Sequence, residues 1–181
     1  KSTKIEMKKK NSLMIIILNQ QKNKIWLKKL ISIIKKENSE NTIKVFKKIT
    51  KKDLITTKCN FLISFHNGQI IKDDIINYLS GNCINFHNSA LPKNRGWAPI
   101  LWTAYNNDFF ASTIHRISSG LDTGDICGQK IIKKSLKNFS LENVYELLEK
   151  EGLILFEKIF SKMKKEIITK KKNVNYKKQL I

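Results

Sequence analysis

The sequence predicts an α/β fold in which helices flank a mostly parallel central sheet, and three observations carry that prediction. Apolar runs recur at Leu13–Leu18, Phe61–Phe65 and Cys83–His87, the pattern of strands buried on both faces. Segments with apolar residues at helical spacing lie between these runs. Turn-forming residues are gathered late in the chain: both prolines, and three of the seven glycines, fall between residues 92 and 124. Buried strands alternating with helices call for crossover connections, and so for parallel pairing.

In chain order, residues 1–11 are polar and basic and read as a flexible arm. Leu13–Leu18 is a continuously apolar strand. Leu27, Leu30, Ile31 and Ile34 recur at helical spacing and predict an amphipathic helix over about residues 22–36. A turn at Asn38-Ser39-Glu40-Asn41 leads into a short strand, Thr42–Phe46. Phe61–Phe65 is a second buried strand, closed by Asn67-Gly68, and Ile70–Leu79 a short helix before the third strand, Cys83–His87. Trp97–Asn106 reads as a helix, with Pro99 tolerated in its first turn. Ala111–Ile117 and Ile126–Ile132 bracket a glycine-flanked turn as two further strands, arranged as a hairpin. Ser140 is a suitable N-cap, with Glu142 near the positive helix end. Val144, Leu148, Leu155, Ile159 and Met163 then mark one face of a long helix. No internal repeat is present. Residues 12–168 read as one domain and 169–181 as a basic tail.

The chain has 181 residues and is 41% hydrophobic, enough to bury a substantial core. Its net charge of +20 suggests nucleic acid at first sight. Specific readout leans on the planar arginine fork, however, and only Arg95 and Arg116 supply one. The lysines are dispersed, apart from clusters at residues 8–10 and 170–172, and Lys, Asn and Ile are abundant together, as an AT-rich coding bias would produce. Basicity alone is a non-specific signal. The run Leu13–Leu18 is too short to span a membrane and lacks a signal-peptide cleavage pattern. Cys59, Cys83 and Cys127 form no metal or redox spacing. A cytoplasmic protein with reduced thiols and no metal site is expected.

One constellation stands out. Asn85 and His87 are two apart at the end of a strand, where alternation sends both side chains to the same side. Asp122 follows after one helix-like and one strand-like segment, inside Gly120-Leu121-Asp122-Thr123-Gly124-Asp125. An amide donor, a titratable ring and a carboxylate can together manage a charged acyl-transfer intermediate. Each residue taken singly has a plainer reading. Asn85 could satisfy backbone groups at a strand end, His87 could be a hydrogen-bonded core histidine, and Asp122 could stabilise its own turn. Only in combination do they point to catalysis.

The stretch Asn85-Phe86-His87-Asn88-Ser89-Ala90-Leu91-Pro92-Lys93-Asn94-Arg95-Gly96, then Thr113-Ile114-His115, then Gly120–Ile126, resembles the folate-dependent formyltransferase family. The resemblance is dense from about Phe61 to Lys130 and thinner outside. It implies a Rossmann-like formyltransferase fold and N10-formyltetrahydrofolate as formyl donor, bound at the carboxyl ends of the strands, where such sheets hold ligands. Asn85, His87 and Asp122 fall on the family's catalytic positions. Leu62, Ser64, Phe65, His66, Asn67 and Gly68 match the strand end that helps hold the pterin, and the Leu91–Pro92 bond matches a cis bond of relatives. Ser89, Arg95, Gly96 and Trp97 are candidates for the substrate loop. Trp97 and Trp102 are expected to pack the helix after that loop, with stacking on a sugar or base as the alternative. His115 is expected to pack or line the rim. The chain departs from relatives at Asn88, where many carry Pro, and at Asn19-Gln20-Gln21, where the usual glycine is missing.

The reaction implied is attack of a primary amine on the formyl carbon. The segment Trp97–Trp102, and a faint similarity of Asn175–Leu180 to a stretch in sugar-modifying relatives, favour a nucleotide-linked amino sugar of the dTDP-4-amino-4,6-dideoxyhexose type as acceptor. Phosphoribosylglycinamide formyltransferase is the runner-up. A methionyl-tRNA formyltransferase-like enzyme lacking its carboxy-terminal domain comes next, since no such domain follows in this sequence. Formyltetrahydrofolate hydrolysis uses the same three residue types, but in relatives that bring an amino-terminal regulatory domain. The opposing class is an inactive basic module that binds nucleic acid. Partners expected are therefore the small-molecule amine acceptor and, allowed but not indicated, a second copy in a homodimer. Membrane and nucleic acid are not expected.

Overall fold

The computed structural model describes residues 11–21, 24–133, 136, 138–169 and 177–179. The expected basic arm lies outside the described residues except for Asn11. So do the lysine clusters at 8–10 and 170–172, and the basic tail apart from Thr169 and Lys177–Gln179. The chain forms two compact units, one of Lys1–Cys83 with Phe160–Val174, the other of Ile84–Ile159 with Asn175–Ile181.

In the first unit β1 (Met14–Leu18) lies between β2 (Thr42–Phe46) and β3 (Phe61–Ser64), parallel to both. Ile16 stands opposite Lys44 on one side and Leu62 on the other. Ile15, Ile16, Ile17 and Leu18 are fully buried, as their unbroken apolar run requires. The crossover from β1 to β2 is α1 (Ile25–Glu37), which buries Leu27, Leu30 and Ile34. It covers the predicted amphipathic stretch and starts a little later. The crossover from β2 to β3 contains a helix that periodicity does not announce, α2 (Lys51–Thr57). It is too short to show a period, and its signal is a capping box. The Asp53 carboxylate accepts the Thr50 N–H at 2.7 Å and the Thr50 hydroxyl at 2.8 Å. The next helix, α3 (Asp73–Tyr78), is shorter than the Ile70–Leu79 expected, because left-handed Ser80 and Gly81 end it and exposed Ile70 precedes it.

The second unit holds β4 (Cys83–His87, of which Cys83 counts with the first unit), β5 (Ala111–Arg116) and β6 (Ile126–Ile131). β5 is antiparallel to both β4 and β6. The expected hairpin is therefore present. The return from β4 to β5 passes through one loop and α4 (Pro99–Tyr105) and also pairs antiparallel. The α/β expectation holds, with parallel pairing in the first unit and antiparallel pairing in the second.

Helix α5 (Leu141–Thr169) contributes to both units. Ser140 caps it, its hydroxyl accepting the Asn143 N–H at 3.2 Å. The buried stripe runs through Val144, Leu148, Gly152, Phe156, Phe160 and Met163, so the face expected from sequence is right at Val144, Leu148 and Met163. Leu155 and Ile159 are only half-buried: they lie against Gly128, where a Cβ would meet Leu155 at 3.0 Å. Gly152 allows the close approach that sets the stripe, since a Cβ there would stand 2.5 Å from the Ser112 hydroxyl. Among the described residues no helix is long and apolar enough to cross a membrane. All three cysteines are free, and burial pushes the Cys59 thiol up to about 11, which leaves it unreactive.

Candidate active site

Strand β4 sets the first two side chains. In its antiparallel register with β5, Asn85 stands opposite His115 and His87 opposite Thr113. Directly opposed residues share a face, so the pairing brings His115 beside Asn85. Asp122 arrives from the turn before β6, in a left-handed conformation with φ 51. Its carboxylate is the centre on which the others converge. Oδ1 accepts the Asn85 amide N–H at 3.3 Å and lies 3.4 Å from His115 Nε2. Oδ2 accepts the Gly96 N–H at 2.9 Å and lies 3.5 Å from His87 Nδ1. Asn85, His87 and Asp122 are thus brought together as the sequence predicts.

The tautomers follow from what the rings face. His87 Nε2 is 2.9 Å from the Asn94 carbonyl and His115 Nδ1 is 2.8 Å from the Arg116 carbonyl. A carbonyl only accepts, so each of these nitrogens carries a hydrogen. In the neutral rings the lone pairs then sit on His87 Nδ1 and His115 Nε2. The latter accepts the second amide hydrogen of Asn85 at 3.2 Å. His87 Nδ1 is left facing the Asp122 carboxylate.

Burial pushes the His87 pKa below its usual 6.5. The Asp122 charge and the Asn94 carbonyl oppose this, and His115 adds to the lowering. Burial would raise the Asp122 carboxyl, but His115, which can donate to it only when its ring is protonated, the His87 charge and the Gly96 N–H outweigh it and hold the pKa below its usual value. Near neutral pH the site therefore pairs a carboxylate with a neutral imidazole whose lone pair points towards it. A proton arriving at His87 Nδ1 would gain the full attraction of that carboxylate.

The loop after β4 is held by its own side chains. Ser89 is buried, donates to the Lys93 carbonyl at 2.7 Å and offers its own carbonyl to Thr113 at 2.6 Å, so it shapes the loop. Asn88, which replaces the proline of many relatives, donates to buried Glu149 at 2.8 Å. The Leu91–Pro92 bond is cis. Asn94 is left-handed and fixed by Thr103, Asp108 and Asn106 at 2.8 to 3.1 Å, which aims its carbonyl at His87. Arg95 donates to Gln179 at 3.0 Å. Trp97 is 87% exposed and Trp102 51%, the latter edge-on to Tyr105. Neither indole packs the helix as the sequence suggests, so both leave an aromatic face open.

Leu62, Ser64 and Phe65 are buried in the first unit, while His66 and Asn67 are half-buried and Gly68 is exposed. The ends of the first unit's strands are tied by amides. Asn19 donates to the Phe65 carbonyl at 2.9 Å, and Asn67 to that of Lys47 at 2.8 Å. The Gln20 N–H reaches the left-handed His66 carbonyl at 3.1 Å. Asn19 and Gln20 belong to the stretch where the resemblance leads one to expect a glycine. Among the described residues no group of three or more His, Cys, Asp or Glu could hold a metal ion.

Sequence reasoning missed two participants, the Asn94 carbonyl and Gln179, and expected His115 only to pack or line the rim. His115 was visible only through strand register. Asn94 had a faint signal, since Asn tolerates the left-handed region ahead of Arg-Gly. Gln179 had none.

A methionyl-tRNA formyltransferase of Prochlorococcus marinus (strain MIT 9312) is 30% identical over 97% of this chain and 55% of its own length. The chain spans about half the length of that relative. Among solved structures, the formyltransferase PseJ from Anoxybacillus kamchatkensis, in complex with UDP-4,6-dideoxy-4-formamido-L-AltNAc and tetrahydrofolate, superposes with a TM-score of 0.77. It is 28% identical, and the match covers 92% of this chain and 82% of that one. A phosphoribosylglycinamide formyltransferase from Anaplasma phagocytophilum shares the fold at 14% identity, with a TM-score of 0.71 over 86% of this chain and 88% of its own. The formyl transferase family model matches residues 22–157, three quarters of the sequence, and the chain belongs to that family.

Proposed function

We propose that this protein transfers the formyl group of N10-formyltetrahydrofolate to a primary amine, with Asn85, His87 and Asp122 as its catalytic residues. The observation that carries the reading is the convergence of the three side chains, with His87 Nδ1 3.5 Å and the Asn85 amide nitrogen 3.3 Å from the Asp122 carboxylate. The donor supplies an activated formyl carbon and a nitrogen leaving group. His66, Asn67 and Gly68, with the main chain of Leu62, Ser64 and Phe65, are the residues proposed to hold its pterin.

Attack places the amine lone pair in a new C–N bond and moves a C=O electron pair onto oxygen. Asn85 donates to that oxygen. Its two contacts, at 3.2 and 3.3 Å, are longer than the usual N–H···O distance of about 2.9 to 3.0 Å, so one hydrogen is readily redirected. His87 Nδ1 takes the proton the amine sheds, and Asp122 stabilises the imidazolium. The imidazolium returns the proton to the departing nitrogen as the old C–N bond breaks. Tetrahydrofolate and a formamide result, with no redox change.

The acceptor we infer is a nucleotide-linked 4-amino-4,6-dideoxy sugar. PseJ, with its nucleotide-linked formamido sugar, supports this, and the exposed faces of Trp97 and Trp102 suit stacking on a base or sugar ring. The methionyl-tRNA formyltransferase relative favours charged initiator tRNA as the second reading. A cytoplasmic location belongs to either. The test incubates the protein with formyltetrahydrofolate and a panel of dTDP- and UDP-linked amino sugars, glycinamide ribonucleotide and charged initiator tRNA, following tetrahydrofolate release. Formylation of an amino sugar is expected. Formylation confined to another member would overturn the acceptor, and no formylation of any member would overturn the activity.

A further inference from the structure

The segment Lys177–Gln179 grips the turn that presents Asp122. The Ile126 N–H donates to the Lys177 carbonyl at 2.9 Å in an isolated antiparallel bridge. The Gln179 amide nitrogen donates to the carbonyls of Asp122 at 3.1 Å and Gly124 at 2.7 Å, and its oxygen accepts from Arg95 at 3.0 Å. The amide has only one workable orientation, because its nitrogen end meets two acceptors and its oxygen end a guanidinium. On its other side the turn abuts Arg116. The Arg116 N–H donates to the Asp125 carbonyl at 2.8 Å, and a Cβ on Gly124 would collide with the Arg116 carbonyl.

These contacts close a ring. Gly96 holds the Asp122 carboxylate through its N–H, while its neighbour Arg95 holds the Asp122 carbonyl through Gln179. A left-handed backbone is disfavoured for an L-aspartate, so its conformation depends on such surroundings. We propose that Gln179 is a positioning residue for Asp122, locking the turn from outside so that the carboxylate stays on the Gly96 N–H and within reach of His87. Its effect on turnover rests on the formyl-transfer reading; its effect on the geometry does not.

Two variants test this: Gln179→Ala removes both donors, and Gln179→Glu keeps a partner for Arg95 but turns carboxylate oxygens toward two carbonyls. The chain has three histidines, so their ring protons can be followed through pH by NMR. The groups facing His87 are Asp122, His115 and the Asn94 carbonyl. In both variants Gly96 amide exchange should quicken at least about tenfold and the His87 titration should move to lower pH, as the supporting charge recedes. Turnover should fall about 10- to 100-fold with little change in KM for the donor, the loss expected of a misplaced group. Wild-type Gly96 exchange and His87 titration in both variants would overturn the proposal, whatever happened to the melting temperature. These two readouts need no substrate, so they decide the matter even if the protein transfers no formyl group.

Discussion

The two units differ in how their buried polar groups are arranged. In the first, apart from Lys164 and Glu166 on α5, the buried polar side chains described are amides and hydroxyls. Buried Asn41 accepts the Leu13 N–H at 2.9 Å and donates to the Ile34 carbonyl at 3.1 Å, and Gln69 exchanges hydrogen bonds with the Ile49 main chain at 2.9 and 2.7 Å. In the second, buried His87 and His115 face the half-buried Asp122. An amide bonded to backbone has no protonation state to change, so it fixes geometry at any pH. Facing ionisable groups are costly to bury and useful only if their charge is to move. On the proposed mechanism, the contrast sets amides that fix geometry apart from the facing groups that would carry the proton.

The largest expected effect breaks the second unit's chemistry while sparing the first unit's structure. His87→Ala should lower turnover about 10²–10⁴-fold, the range for a positioned acid–base group. Asn85→Ala should cost about 10²–10³-fold, as for one lost oxyanion donor. Both variants should keep a cooperative thermal transition near that of the wild type. A His87→Ala protein with wild-type turnover would end the assignment of the proton to that ring.

The next effect runs the other way. Asn41→Ala leaves the buried Leu13 N–H without its partner and the Ile34 carbonyl with only the Asn38 N–H, a loss of about 1–3 kcal/mol. Denaturant unfolding should show the loss at pH 6 and pH 8 alike, with turnover of the folded fraction unchanged. A loss that depended on pH would mean that the amide network is coupled to a titrating group.

The pH behaviour of the second unit follows from the two shifts. The His87 pKa is lowered, so between the folded value and 6.5 the unfolded chain binds more protons and stability rises with pH. The Asp122 pKa is lowered too, and its stabilisation, present above 3.8, is lost as pH falls through the folded value. Both contributions therefore fade on acidification. Turnover needs His87 neutral, so its acid limb should lie below pH 6.5. Asp122→Asn removes the charge that raises the His87 pKa and should move the NMR titration of that ring further down. An upward move would show that Asp122 is not the group His87 feels.

The same contrast explains how much could be read without a structure. The strands Thr42–Phe46 and Cys83–His87 have their expected bounds because short strand-forming segments between turn residues are local signals. Helix α2 was missed because one capping box and seven residues leave no period to see. In the site, Asn85 and His87 were legible from their spacing, and Asp122 from its turn. His115 depends on a cross-strand register, and Gln179 is 57 residues from the carbonyl it holds, with no local pattern marking the contact. Trp97 and Trp102 were misjudged for a related reason: apolar character says what a residue can bury, and tertiary structure decides whether it does.

The smallest expected effect on the fold sharpens the question of the acceptor. Trp97 follows the Gly96 amide that holds Asp122, yet its own side chain is 87% exposed. Replacing a side chain so open should change stability by no more than about 0.5 kcal/mol. If its face stacks on the acceptor, Trp97→Ala should raise KM for that acceptor while leaving KM for the formyl donor unchanged. Removing one aromatic stack of about 1–3 kcal/mol corresponds to roughly 5- to 150-fold in affinity. Steady-state kinetics with each substrate varied separately makes the measurement. Unchanged KM for both substrates would remove Trp97 from the acceptor site. A rise for the donor alone would move the indole to the folate side. A rise for the acceptor alone would place recognition of the amine's carrier on a residue next to the one that holds Asp122, so that acceptor binding and carboxylate placement depend on the same short loop.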